Sequence, residues 1–326
     1  MNGNQPYISV VEPLTPAIER VKTILFRPFD IGKWFIIGFC AWLAELGKFK
    51  GSGGGGGGRD GGGSPFHGGP PDFEEMMNNA RDWLDRARFF VEENMHWMIP
   101  VIVLGAVVVI IIWVLLTWVS SRGRFMFLHC VVENKAEVSV PWYKFSRHAN
   151  SLFLFRFVLG LLNIVAVVGA IGTGFLLFAG AAKAGSGPAV IVIIISVFVS
   201  MIALTIVMFL IQKFTMDFVV PIMFLRSASC TAAWREFLAI LTSNSARFVL
   251  YVLFQIAIWL VIGMLVLGLM IVTCCCAACI LALPYVGTVL FLPVLIFHRS
   301  YSLYYLRQYG PAFDIFGSSE QVIPTV

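Results

Sequence analysis

Charge is scarce in this chain. Asp, Glu, Lys and Arg make up 13% of its 326 residues, about half of the roughly 25% typical of soluble globular domains. The shortage is uneven: the 50 residues from Phe248 to Phe297 contain none of the four. So little charge cannot cover a water-facing surface, which excludes a soluble globular fold and points to a lipid-facing one. The seven cysteines are scattered or lie inside apolar segments, which excludes a disulfide framework. The chain has no HExxH, no nucleophile elbow, no acid pair in a polar setting and no Gly-Lys-Ser/Thr opening a helix. That leaves no positive case for an enzyme or a nucleotide site, and no cofactor is expected. No basic run is interleaved with stacking aromatics, so no nucleic-acid partner is expected. The first residues show no basic segment followed by an apolar run, so a cleaved signal peptide is not expected and the spans must direct insertion.

Apolar residues are abundant, at 59% of the chain, and the mean hydropathy is +0.86. Met98 to Val119 is 22 residues without charge; as a helix it is about 33 Å long, enough to cross a hydrocarbon core of about 30 Å. The expected fold class is an all-α integral membrane protein, a single polytopic domain with six transmembrane helices. The spans fall at approximately 31–46, 98–119, 152–182, 188–211, 248–272 and 280–303. The first is the weakest, interrupted by Lys33 and Glu45. The 50-residue uncharged run is too long for one crossing and must turn back near Thr273 to Cys279. Pro284 and Pro293 should kink the last span. With six spans, 16 of the 23 Lys and Arg fall on the side that holds both termini. The positive-inside rule makes that side cytoplasmic and the location the cell membrane.

The segments before spans one, three and five share a pattern: an aromatic, two residues, a Phe, then an Asp or Asn, then an apolar helix. The residues are Phe26, Phe29 and Asp30; Trp142, Phe145 and Asn150; Trp234, Phe237 and Asn244. Aromatics suit the membrane–water interface, and Asp or Asn accept hydrogen bonds from free N–H groups at a helix start. The pattern divides the chain into three repeated helix pairs, each led by a cytoplasmic interfacial amphipathic helix. Trp142–Arg147 and Ala232–Ile240 are two such helices.

Residues 47–71 are too rich in glycine to hold one backbone and read as a flexible linker. Residues 72–97 follow as an amphipathic extracytoplasmic helix, with Phe73, Met77, Ala80, Leu84, Ala87 and Val91 at three- and four-residue spacing. It has room to lie on the outer leaflet, to dock a partner, or to rise from span two.

Three sets of residues invite chemistry. Asn163 and Gln255 occupy equivalent spans of the second and third pairs and form a candidate intramembrane polar site; without an ionisable neighbour, interhelical hydrogen bonding explains them better than substrate binding. Asp217 follows span four and is expected at the interface. Cys276 and Cys279 form a C-x-x-C suited to a redox pair or to two metal ligands, yet no second pair completes a site, and small residues in a tight interhelical turn are the simpler reading. Ala166, Ala170 and Gly174 make a small-residue stripe that predicts close helix packing.

Leu25-Phe26-Arg27-Pro28-Phe29, Pro141-Trp142 through Asn150-Ser151, and Leu283-Pro284-Tyr285 resemble a loose group of bacterial and archaeal six-span membrane proteins. The group includes the glycerophosphoryl diester phosphodiesterase membrane domain and several uncharacterised families. The resemblance spans most of the chain outside residues 47–97. In the namesake proteins catalysis belongs to a separate soluble domain, for which this chain has no room. The resemblance therefore implies a membrane module without phosphodiesterase activity. The expected function is a non-enzymatic module that organises membrane lipids or partner proteins, with a homo-oligomer or a membrane-protein complex as its assembly. A transporter of an apolar or lipid-like substrate is the alternative, and a thiol–disulfide protein using Cys276 and Cys279 a weaker one.

Overall fold

The computed structural model describes residues 8–46, 73–183, 187–273 and 283–317, with the side chains of 73–94, 182, 183, 187 and 284 left out. Among the described residues the fold is all helical. In chain order the helices are α1 (Leu14–Leu25), α2 (Ile31–Glu45), α3 (Phe73–Glu133), α4 (Ser139–Lys144), α5 (Ser146–Lys183) and α6 (Gly187–Phe214). A π-helical turn (Thr215–Val219) joins α6 to α7 (Val220–Arg226), and α8 (Cys230–Ser243), α9 (Ser245–Val272), α10 (Pro284–Leu290) and α11 (Leu292–Arg307) complete the set.

Four helical stretches are long and apolar enough to cross a membrane: Met95–Glu133, Ser146–Ala181, Pro188–Arg226 and Ser245–Val272. They contain four of the six expected spans and make this a polytopic membrane protein. The first expected span is α2, whose 15 residues reach only about 22 Å. The last is divided at Phe291 into α10 and α11, each opening with a proline in its first turn. Pro284 and Pro293 thus start helices: a proline lacks the N–H that the first turn leaves unpaired anyway.

Contacts divide the chain into two units, Lys48–Leu116 and the remainder. In the smaller unit, α3 is exposed around its circumference from Ile99 to Ile112, with large apolar side chains such as Leu104 and Val109 about two-thirds accessible. Leaving these 11 residues in water would cost on the order of 10–20 kcal/mol, as much as a whole domain's usual stability, so lipid is their solvent. The helix runs without interruption from Phe73 through the expected span, so the amphipathic segment rises directly from span two. The glycine-rich 47–71 lie outside the described residues.

In the larger unit the core is built from helix tails that continue past the spans. Residues 117–132 of α3, 215–223 of the π turn and α7, and 292–306 of α11 carry most of the buried side chains. The interfacial helices pack around them: α1 on α11, α8 on α7 and the π turn, and α4 on the α3 tail through Trp142 against Trp118 and Phe145 against Phe125. α2 lies antiparallel to the α3 tail. Lys33 Nζ donates to Asn134 Oδ1 at 2.8 Å, and Ser120 Oγ donates to the Ala44 carbonyl at 2.8 Å. Arg20 closes the C-terminal end of α3 by donating to the carbonyls of Val131 and Val132, which have no helical partner and carry the negative end of the helix dipole. Gly174 supports the expected close packing of α5 on α6: a Cβ there would stand 2.6 Å from Val197 Cγ2.

Candidate functional site

The strongest polar constellation is built from two i,i+4 pairs on facing helices. Lys213 ends α6, and Asp217 lies one turn on, in the π turn. Tyr251 and Gln255 are one turn apart on α9. Lys213 Nζ donates to Asp217 Oδ2 at 2.9 Å and to Gln255 Oε1 at 3.3 Å. Tyr251 donates its hydroxyl proton to Asp217 Oδ2 at 3.1 Å, and Gln255 Nε2 donates to the Tyr251 oxygen at 2.8 Å. All four side chains are mostly buried, and Gln255 and Tyr251 completely. Arg299 of α11 donates to the Met216 carbonyl beside them. A π turn leaves a carbonyl out of register with its usual partner, and Arg299 supplies the missing donor. Such a closed cycle satisfies its own buried polar groups, the condition for keeping ionised side chains in a low-dielectric interior.

Two expectations are corrected here. Asp217 does not stand on an open headgroup-facing surface; it faces the packed core and is 9% exposed. Nor is Gln255 without ionisable neighbours. Both follow from the helical path of α6, which continues through the π turn into the core. Asn163, the other half of the candidate pair, lies half-buried on α5 and is not among the partners of Gln255. The signal available in sequence was the Lys213–Asp217 spacing, which places opposite charges on one helix face.

The nine residues of the repeated pattern divide three ways. Asp30 caps α2 as expected, its Oδ1 accepting from the N–H of Gly32 at 2.8 Å and of Lys33 at 3.4 Å. Phe26 and Phe29 are exposed and meet Trp34, as suits an interface. Phe145 and Phe237, by contrast, are core residues, stacked on Phe125 and Phe218 at 6.0 and 5.2 Å between ring centroids. Trp142 and Trp234 are half-buried beside them. Burial favours these rings because the helix tails offer an apolar surface that span lengths alone do not reveal. Asn150 is no cap, since α5 has already begun at Ser146. Asn244 stands at the start of α9 but makes no capping bond; its amide nitrogen donates to the Ile240 carbonyl and its oxygen accepts from Arg247.

Cys276 and Cys279 lie outside the described residues. The described thiols are Cys40, Cys130 and Cys230, all free and buried, with the Cys40 and Cys130 sulfurs 3.9 Å apart. Burial pushes the Cys230 thiol, in the segment between spans, up to about 12, so it stays protonated and unreactive. Tyr309 is also raised, first by burial and then by its hydrogen bond with Tyr305. Among the described residues, no three His, Cys, Asp or Glu side chains are grouped to hold a metal ion.

Two concavities complete the picture. An apolar groove of about 470 Å³ runs between α1, α9 and α11, bounded by Ile18, Val21, Phe254, Ile258, Pro293 and Phe297 among others. A smaller polar cleft of about 390 Å³ is bounded by Arg147, His148, Ser151 and Ser227 to Ser229.

No curated protein and no solved structure matches this chain. A family model does match, over residues 8–290, which includes both helices of the polar cycle and most of the helix tails. The chain belongs to the family of unknown function DUF7544.

Proposed function

We propose that this protein is a non-enzymatic membrane module that organises lipids or partner proteins, crossing the cell membrane six times with both termini in the cytoplasm. The carrying observation is the apolar groove between α1, α9 and α11, one wall of which is α9, a helix long and apolar enough to cross the membrane. It has the character of a seat for an acyl chain or an apolar helix. The polar cycle, in contrast, is closed on itself.

Two pairings support six crossings. Lys33 lies by Asn134, so the start of α2 and the end of α3 share a side. A crossing α3 puts its own start on the opposite side, and the chain must cross once more between residues 33 and 98. Likewise, the Tyr305 hydroxyl donates to the Arg247 carbonyl at 3.1 Å, so α9 starts on the side where α11 ends, and the chain must return after Thr273. The three-pair reading draws support from the stacked rings. Phe125 and Phe145 are 20 positions apart, Phe218 and Phe237 are 19 apart, and an ionisable residue, Arg124 or Asp217, precedes each tail Phe. The likeness to the six-span group of the phosphodiesterase membrane domain points the same way.

Affinity purification of the full chain in mild detergent, with bound proteins and lipids identified together, tests the reading. One lipid class, a second copy of the chain, or one membrane protein should be retained in fixed ratio, well above an unrelated polytopic control. Retention at control levels throughout removes it. The Lys213–Asp217 pair favours a second reading as a transporter, because ionisable groups within membrane helices often mark pathways. In proteoliposomes, flux of a lipid-like substrate that is abolished by Asp217→Asn would establish that reading instead.

A further inference from the structure

Arg124, buried on the α3 tail, lies within electrostatic range of two arginines on other helices, Arg156 on α5 and Arg299 on α11. Arg156 is well provided for. Its Nη1 donates to Ser121 Oγ at 3.1 Å, to Ser120 Oγ at 3.3 Å and towards the Thr117 carbonyl at 3.5 Å. Arg124 is not. It is 7% exposed, and its Nε and Nη1 are shielded from solvent without a hydrogen-bond acceptor. The Nε of Arg299 and the hydroxyl of Ser300 are in the same condition. Arg156 and Arg299 both oppose the charge of Arg124, and Glu45 is the carboxylate that offsets it.

The local charges do not balance. Arg124, Arg156, Arg299 and Lys213 are four cations; Glu45 and Asp217 are two carboxylates, and Asp217 is already committed to Lys213 and Tyr251. A buried guanidinium without an acceptor is among the most unfavourable groups a core can hold. Missing charge and missing acceptors call for the same remedy, an anion with several oxygens. Guanidinium groups match phosphate oxygens with paired, planar donors. The depth fits as well. Arg156 stands at the start of the exposed apolar part of α5, and Thr117 directly follows the apolar run of α3, so the cluster lies where helices leave hydrocarbon and headgroups begin.

We propose that Arg124, Arg156 and Arg299 form a binding site for a phosphate group, carried by a membrane phospholipid or present as free phosphate. The site rests on the lipid-organising reading above and assigns it a ligand chemistry.

The test uses the full chain, purified in neutral detergent and stripped of lipid. The probes are phosphatidic acid, diacylglycerol and inorganic phosphate, and the readout is thermal unfolding. Phosphatidic acid should raise Tm by roughly 2–4 °C or more near saturation, and diacylglycerol, which has the chains but no phosphate, should not. Arg124→Gln should weaken the response at least tenfold, Arg124→Lys should keep part of it, and the exposed Lys135→Gln should keep all of it. An equal response to inorganic phosphate identifies the free ion as the source and upholds the site. If Arg124→Gln fails to fold, Arg156→Lys replaces it, with a weakened response expected. No response to either phosphate-bearing probe overturns the proposal. So does an unchanged response in the Gln variant (or in Arg156→Lys where that stands in); if phospholipid still co-purifies, the lipid-organising reading survives. Inorganic phosphate binding without any retained lipid does the reverse.

Discussion

Gly123 sits where two helix backbones cross. A Cβ at this position would stand 2.6 Å from the Ala44 nitrogen and from the Leu43 carbonyl carbon. Those are backbone atoms, so relief requires moving α2 or the α3 tail as a whole. Gly123→Ala is expected to destabilise the larger unit by about 1–3 kcal/mol, read as a lower Tm in detergent. Gly169, with nothing near its missing Cβ, should accept alanine with little change. Equal Tm values for the two variants would refute the close crossing. Cys230 offers a titration at the same scale. Its thiol value is raised from about 9 to about 12 by burial, so the fold favours the neutral form. The sign follows: this contribution to stability is complete below about pH 9 and is lost as pH rises towards 12. Iodoacetamide at about pH 8 should therefore spare Cys230 in the folded chain and modify it after denaturation. Rapid native alkylation, read by peptide mass spectrometry, would contradict its burial.

At the scale of elements, the helix tails decide what the spans connect to. The long apolar runs were legible in sequence because lipid imposes length and composition on a span, as was the Asp30 cap of α2. The tails were not. Arg124, Arg156, Lys213 and Arg299 look like basic flags beside a membrane, and nothing in their immediate neighbours distinguishes a solvated arginine from a buried one. The distinguishing feature is the continuation of α3 and α6 beyond the hydrocarbon into a packed layer, which rests on contacts between residues far apart in sequence. The Lys213–Asp217 pair makes the consequence measurable. Its side chains are 12% and 13% exposed, so Asp217→Asn strands a cation and should cost about 3–5 kcal/mol. Replacing both, with Lys213→Met and Asp217→Leu, should recover much of that loss. A double-mutant cycle by chemical denaturation checks it, and a coupling below about 0.5 kcal/mol would mean the pair is idle.

At the scale of the whole molecule, four helices pass the length test, and the proposed route crosses six times. The two counts differ most at Leu46. In the six-crossing route, α2 and the few residues around it carry the chain outward, although α2 is only about 22 Å long. A short span is tolerable where the bilayer thins or where flanking charged side chains reach the interface; Lys33 and Glu45 stand at the two ends of α2 to do so. Its outer face, with Ile31, Phe35, Ile36 and Phe39 exposed, is apolar enough for lipid. Truncated fusions to alkaline phosphatase and to green fluorescent protein read the side directly. After Leu46 and after Thr273, the phosphatase should be active and the fluorescent fusion dark. After Lys144, after Ser243 and at the C-terminus, the pattern should reverse. A fluorescent, phosphatase-negative fusion after Leu46 would return α2 to the cytoplasmic layer and leave the first pair with a single crossing, breaking the threefold reading while the four long spans stand.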